Sequence, residues 1–156
     1  MKKLIILLSL ISFNAIGAGT SSNTDDSSET SDQIITLYEL AENHIDNQSY
    51  DKSLNLLKKL TKREDLGTKR ADIYNLLGFS YRKLENPDLD KSFAAYMMAL
   101  ELDPKHIGAH EYLGELYLMK GQKDKAITML EKLEILTGRN SEEFKVLKKA
   151  IESFES

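Results

Sequence analysis

Three histidines, His44, His106 and His110, are the side chains of this chain best suited to do chemistry. His106 and His110 lie four residues apart, a spacing that puts two imidazoles on one face of an α-helix, where they could bind a metal ion. The pair His110-Glu111 also begins like the zinc-protease motif, but Gly114 stands where that motif has its second histidine. No glycine-rich phosphate loop or nucleophile elbow is present. The sequence therefore predicts no catalytic residue, metal or cofactor, and a helical metal-dependent enzyme that uses His106 and His110 is the alternative.

The helices that would position these histidines recur along the chain. The clearest copy reads as an aromatic residue, two residues, leucine, glycine, two residues and tyrosine, and the other copies keep part of this pattern. The two clearest copies are Tyr74, Leu77, Gly78 and Tyr81 and, 36 residues later, His110, Leu113, Gly114 and Tyr117. Weaker copies are Leu37, Leu40, Ala41 and His44 before them and Phe144, Leu147, Lys148 and Ile151 after them. Self-similarity at this period predicts a stack of similar helical units.

A second helix, with its own small residue, follows each of the first three copies. Its small residue, two larger or apolar residues and a terminating residue lie at intervals of four, three and five. The three sets are Ser92, Tyr96, Ala99 and Pro104; Ala126, Leu130, Leu133 and Gly138; and Ser53, Leu57, Leu60 and Asp65. Small residues on both helices let two backbones cross closely, so each pair of helices is predicted to form a hairpin. Asn140 and Glu143 are predicted to form a capping box that opens a last, unpaired helix.

This two-helix pattern resembles the tetratricopeptide repeat family, whose unit reads Trp, Leu-Gly, Tyr, then Ala, Phe, Ala, Pro. The resemblance covers residues 34 to about 154, and the stretch from His106 to Leu118 is similar to small exported bacterial members of the family. It implies an all-α, right-handed α-solenoid of three hairpins and a C-terminal capping helix. The expected boundaries are 34–67 for a degenerate first repeat, 71–106 for the second, 107–140 for the third and 141–156 for the cap.

The first 33 residues differ from the repeats. Lys2 and Lys3 precede an apolar run over residues 4–13, and small residues follow at Gly17 and Ala18. This order predicts a signal peptide over residues 1–18, with an uncleaved anchor as the alternative, although a spanning helix needs about 20 apolar residues. Residues 19–33 are rich in Ser, Thr and Asp and are predicted to be a disordered leader. We therefore expect an exported protein in the periplasm, with secretion or N-terminal anchoring as alternatives.

Charge and cysteine content narrow the classes of partner. The formal net charge is −4, and it becomes −6 when Lys2 and Lys3 are removed with the signal peptide. A negative chain of this kind is not expected to bind nucleic acid or anionic lipid as its main partner. Because the chain has no cysteine, a fold in an oxidising compartment has to be stabilised by packing and not by disulfides.

In the tetratricopeptide repeat family the first helices of successive hairpins line a concave groove, and the resemblance implies that a protein or peptide partner binds there. Phe79 is the aromatic residue that we expect to anchor a partner, with packing between hairpins as an equal alternative. The residues expected on the groove are Tyr38, Glu42, Asn75, Phe79, Arg82, Glu111, Glu115 and Met119.

Some members of the family hold the C-terminal carboxylate of a peptide with Lys, Asn and Arg side chains on these helices. The matching positions in this chain carry Tyr38, Glu42, Leu76, Gly108 and Tyr112, none of which is basic. Since the other expected groove residues include two more glutamates, a basic or neutral extended segment is favoured over an acidic tail. We expect an interaction module or scaffold that serves as an accessory of an envelope complex.

Overall fold

The computed structural model describes residues 26–154, which form seven α-helices and no strand. Small turns of three to eight residues separate the helices. The helices are α1 (Asp26–Asp46), α2 (Tyr50–Leu60), α3 (Lys69–Lys83), α4 (Leu89–Leu102), α5 (Ile107–Met119), α6 (Lys123–Thr137) and α7 (Glu142–Glu152).

The helices pack in chain order as three hairpins and a cap. Helices α1 and α2 form hairpin 1, α3 and α4 form hairpin 2, and α5 and α6 form hairpin 3. Helix α2 packs against α3, α4 packs against α5, and α7 covers both helices of hairpin 3. The predicted all-α stack of three helical hairpins with a C-terminal capping helix is therefore confirmed.

Local residues define where these helices begin and end. Gly121 turns the chain between α5 and α6 with a φ of 70°, a left-handed conformation that suits glycine. The Asp88 carboxylate caps α4 by accepting the backbone N–H of Lys91 at 3.0 Å. At α7 the prediction of a capping box that starts at Asn140 is wrong. The cap is Ser141, whose hydroxyl accepts the backbone N–H of Phe144 at 3.2 Å, as a short side-chain oxygen at that position does.

Small residues mark the close helix crossings, as the pattern predicts. Ser53, Ser92 and Ala126 are fully buried on the second helices of the three hairpins. A Cβ atom at Gly78 would lie 2.7 Å from the Tyr96 ring in the same hairpin, whereas a Cβ at Gly114 would lie 2.5 Å from a methyl group of Leu147 on α7. Gly78 therefore makes room within its own hairpin, and Gly114 makes room for the capping helix.

Most of the larger residues of the pattern form the core. Leu40 is an exception, since 43% of its surface is exposed, and its predicted core role is wrong. Helix α1 has no preceding hairpin among the described residues, so nothing covers the face that the equivalent leucines bury. Pro104 is exposed and follows the end of α4. Tyr117 is half-buried, and the buried residues of the pattern include Leu77, Tyr81, Tyr96, Ala99 and Leu113.

The N-terminal predictions are only partly covered by the structure. The predicted signal peptide over residues 1–18 lies outside the described residues. Helix α1 begins at Asp26, so the prediction of disorder is corrected for residues 26–33. The buried Ile34 attaches this helix to the core. No helix within residues 26–154 is long and apolar enough to cross a membrane.

Candidate functional site

A groove crosses the first helices of the three hairpins and is the feature best suited to hold a ligand. Its volume is about 670 Å³. The exposed carboxylates of α1 stand along it, and half-buried side chains of α3 and α5 contribute its apolar part. The lining residues are Glu39, Glu42, Asn43, Ile45, Asp46, Leu76 and Tyr112.

Arg82 links hairpins 2 and 3 beside this groove. The side chain is only 5% exposed, and its Nη2 lies 2.6 Å from Oε2 of Glu115 on α5. This contact is an ion pair without the alignment of a good hydrogen bond, and Nε donates to the Tyr96 hydroxyl at 3.4 Å. Arg82 was predicted as a groove residue, but its charge is already paired inside the protein. It positions α3 against α5 and is not free to meet a partner.

Phe79 lies in an aromatic cluster between the hairpins. Its ring centroid is 5.0 Å from that of Tyr112 on α5 and 6.2 Å from that of Tyr50 on α2. The Arg82 guanidinium lies over both the Phe79 ring, at 5.4 Å, and the Tyr112 ring, at 5.5 Å. Such contacts between a cation and two rings stabilise a desolvated site. Phe79 therefore packs between hairpins, which was the alternative to an anchoring role. Its ring is half-buried and keeps some exposed surface.

Asn75 is also more enclosed than a groove residue was expected to be. It is 7% exposed, and its Oδ1 has no hydrogen-bond partner. Its Nδ2 would lie 3.1 Å from a Cβ atom at position 108, so the glycine there leaves room for the amide. Asn75 thus forms part of the packing between α3 and α5.

Glu111 is a buried carboxylate of α5. It is 9% exposed, and among residues 26–154 it accepts no hydrogen bond and makes no ion pair. Burial, together with the charges of Glu115, Glu143 and Glu142, raises the pKa of the Glu111 carboxyl to about 7, while Arg82 opposes them. Desolvation and like charges both disfavour the ionised form, so this group titrates near neutral pH.

At the other side of the groove, charged residues of α1 and α3 lie close to one another. The Lys69 ammonium lies 4.7 Å from the centre of the Tyr38 ring and 3.5 Å from Oδ2 of Asp72. Burial and the charge of Glu42 raise the pKa of Tyr38 above its usual range. Glu42 itself is exposed. Asp72 therefore has an ion-pair partner, whereas Glu111 makes no ion pair within residues 26–154.

The two histidines that could suggest metal chemistry make separate structural contacts. His106 Nδ1 accepts the backbone N–H of Ala109 at 3.1 Å, and its Nε2 lies 3.1 Å from Oδ1 of Asp72. His110 is buried, and its Nε2 lies 3.0 Å from the carbonyl oxygen of Pro104. Within the part of the chain that the structure describes, no three His, Asp or Glu side chains are arranged to hold a metal ion. His106 caps α5, and His110 takes the core position of the repeat aromatic.

Glu39 lines the groove but was not predicted there, and Leu76 and Tyr112 were named only as family binding positions that lack a basic residue. Glu39, Leu76 and Tyr112 occupy one equivalent position of the three hairpins, at spacings of 37 and 36 residues. Extending the repeat register by one position would have found all three. Met119 is 49% exposed at the end of α5, and of the eight predicted residues Asn75, Arg82 and Glu111 are buried in the packing between helices.

This chain is similar to a known family model and to several solved structures. A family model described as a tetratricopeptide repeat matches residues 95–128, from α4 through α5 into α6. This segment of the chain is therefore similar to a tetratricopeptide repeat. No curated protein matches it in sequence.

Solved structures with the same fold are themselves tetratricopeptide-repeat proteins. The Arabidopsis OM64 TPR domain matches with a TM-score of 0.65 at 16% identity, over 76% of this chain and 93% of that chain. The Yersinia enterocolitica type III secretion chaperone SycD, in complex with a peptide of the translocator YopD, matches with a TM-score of 0.64 at 23% identity, over 79% and 89%.

A third structure, the first TPR of Spaghetti (RPAP3) bound to the HSP90 peptide SRMEEVD, has a TM-score of 0.64 at 16% identity, over 79% of this chain and 94% of that chain. At these identities the likeness shows the fold and not a shared ligand. The three hairpins of this chain therefore form a fold of the tetratricopeptide-repeat type, in agreement with the sequence pattern.

Proposed function

We propose that this chain is a protein-interaction module that holds an extended protein or peptide segment in its groove. The observation that carries the proposal is a groove of about 670 Å³ formed jointly by α1, α3 and α5. It combines exposed carboxylates with the half-buried Leu76 and Tyr112. Protein interfaces commonly combine polar and apolar groups in this way. Two proteins of the same fold, SycD and RPAP3, are seen with bound peptides.

The charge of the groove favours a basic or neutral segment. Glu39, Glu42 and Asp46 line it, while the nearby Arg82 is already paired with Glu115. The peptide bound to RPAP3 contains three acidic residues in its sequence SRMEEVD, and such a tail would meet like charges here. Like-charge contacts across an interface are unfavourable and suppress wrong partners.

We further propose that the module is exported to the periplasm and serves an envelope complex. This proposal rests on the order of basic, apolar and small residues over residues 1–18. Intact mass spectrometry of the protein from its native envelope is expected to give a mature N-terminus at Ala18 or Gly19. A mass that retains residues 1–18 would favour the anchored alternative.

Site-specific photo-crosslinking in the native host tests whether the groove is the binding surface. A photoreactive amino acid replaces Glu42 or Met119 on the first helices, and Glu131 on α6 serves as an exposed control outside the groove. We expect discrete adducts from positions 42 and 119 and none from position 131. Adducts from position 131 alone would place the binding surface on the second helices and contradict the proposal.

A further inference from the structure

Glu111 is the charged group that the fold itself does not explain. The other buried polar side chains mostly have partners: Ser92 donates to the Gly78 carbonyl at 2.8 Å, and Arg82 pairs with Glu115. Glu111 is 91% buried, yet it has neither a hydrogen bond nor an ion pair within residues 26–154. A buried carboxylate without a partner destabilises the protein that carries it, so packing gives no reason for glutamate at this position.

The charges that face Glu111 come from three helices, and their sum is negative. Glu115 lies one turn further along α5, Glu142 and Glu143 lie on α7, and Arg82 on α3 is the cation that acts on the carboxyl. Arg82 contributes little net charge because its Nη2 is 2.6 Å from Glu115. The pocket around Glu111 therefore lacks a positive charge to balance its carboxylates.

The Glu111 carboxylate remains accessible to a ligand. The fully enclosed polar atoms without partners are Asn75 Oδ1, Arg82 Nη2 and His110 Nδ1, and no oxygen of Glu111 is among them. The next residue, Tyr112, lines the groove. A basic side chain that approaches Glu111 next to Tyr112 would lay its methylene groups against the ring.

We propose that Glu111 is the docking point for a lysine or arginine side chain of the segment that binds in the groove. This inference rests on the proposed function and names the chemistry of its partner. The incoming cation neutralises the Glu111 carboxylate and forms a charge-assisted hydrogen bond with it at a largely desolvated site. The buried charge of Glu111 lowers the stability of the folded protein, and binding needs that charge.

Proton binding competes with this cation. Burial and the charges of Glu115, Glu142 and Glu143 raise the pKa of Glu111 to about 7, with Arg82 opposing them. A basic side chain favours the ionised carboxylate, so binding is expected to be strongest above pH 7. Below that value, each unit of pH weakens it by up to about tenfold.

Selection from a phage-displayed library of random 12-residue peptides tests the inference on the full chain. At pH 8, wild-type protein is expected to enrich peptides that carry Lys or Arg several-fold over the input library. Glu111→Gln keeps the shape of the side chain and is expected to reduce this enrichment, leaving only the weaker preference that the exposed groove carboxylates Glu39, Glu42 and Asp46 produce. Glu131→Gln, at an exposed site on α6, should select the same peptides as wild type. Peptides chosen by wild type should bind up to about tenfold more weakly at pH 6 than at pH 8, and this pH dependence should be absent in Glu111→Gln.

The outcomes separate this inference from the proposed function. Peptides that bind the groove without a basic preference, or a Glu111→Gln variant that keeps the preference, would overturn the role of Glu111 and leave the groove as a binding site. Failure of wild type to select any peptide would count against both. Folding is checked by thermal unfolding, where Glu111→Gln is expected to raise Tm by a few degrees at pH 8, because it removes an unpaired buried charge.

Discussion

Hairpins 2 and 3 carry the same repeat pattern, but residues at equivalent positions make different contacts. Gly78 faces Tyr96 of its own hairpin, whereas Gly114, 36 residues later, faces Leu147 of the capping helix. Asn75 and Glu111 are also equivalent and both buried, but one is a neutral amide and the other a carboxylate. The difference teaches that the repeat determines which positions are small or buried, while the neighbouring helix determines what each position contacts.

The largest effects are expected from the two glycines. Leucine at position 78 would force apart the Tyr96 ring and the Ser92 carbonyl, which would lie 2.7 and 3.1 Å from its Cβ atom. We expect Gly78→Leu to cost about 3 kcal/mol or more, a large part of a typical free energy of unfolding. Gly114→Leu is expected to cost less, because α7 packs only on α5 and α6 among the described residues and can move outward.

Urea unfolding measures both free energies, and hydrogen exchange shows where protection is lost. For Gly114→Leu the loss should be greatest in α7, whereas Gly78→Leu should expose α3 and α4 together. An unchanged unfolding midpoint in either variant would contradict the close helix crossings. A larger effect at position 114 would reverse the proposed comparison.

Arg82→Ala is expected to produce the next largest effect. It leaves Glu115 without its cation in a mostly buried site and removes the guanidinium from the Phe79 and Tyr112 rings. The expected loss is about 3 kcal/mol, since breaking one side of a buried ion pair leaves an unpaired charge. Adding Glu115→Gln should recover part of it, and chemical denaturation of the four proteins of this double-mutant cycle gives the coupling. A coupling near zero would show that the ion pair does not join hairpins 2 and 3.

Glu111→Gln and Glu115→Gln should change stability in opposite directions. The pKa of Glu111 is raised in the folded protein to about 7, so the folded state binds more protons than the unfolded state between about pH 4.5 and 7. Stability therefore falls as pH rises through this window. Glu111→Gln should remove the fall and stabilise the protein at pH 8 by about 2 kcal/mol.

Glu115→Gln serves as the matched control at the next turn of α5. It removes the partner of Arg82 and should lower stability at the same pH. Thermal unfolding across pH 4 to 8 measures both variants. A stability of Glu111→Gln that matches wild type at pH 8 would mean that Glu111 is not held in an unfavourable charged state.

The smallest effect is expected at the start of α5. His106→Ala removes the N-cap contact to the Ala109 N–H and the link to Asp72 of hairpin 2. The expected loss is about 1 kcal/mol. His106→Asn should restore the cap but not the contact with Asp72, so its stability is expected to lie between the other two in urea unfolding. Equal stability of the alanine and asparagine variants would show that the cap contributes nothing.

Much of the fold could be predicted from the sequence because the repeat encodes it several times. Gly78, Ser92 and Ala126 are small where helices cross, and Tyr96 and Leu113 are large where the core needs volume. The errors fall at the ends of the array. Leu40 follows the pattern but is exposed, and α1 begins before the predicted repeat, because within residues 26–154 no preceding helix covers that face of α1.

The candidate site was less predictable than the fold. Periodicity placed Arg82 and Glu111 on the first helices, but it could not show that one is paired with Glu115 and the other is unpaired. Leu76 and Tyr112 line the groove one position away from the predicted row. A helix face spans several neighbouring positions, so spacing alone does not separate a groove residue from one packed between helices.

The sequence by itself determined the number of hairpins, the small residues at their crossings and the negative charge of the chain, because these depend on residue type and spacing. Only the tertiary structure decided which helix Gly78 and Gly114 meet, that Glu115 is paired with Arg82, and that Glu111 makes no ion pair within residues 26–154. Those properties depend on side chains brought together from α3, α5 and α7, and the free energy of a buried charge is determined by the groups around it.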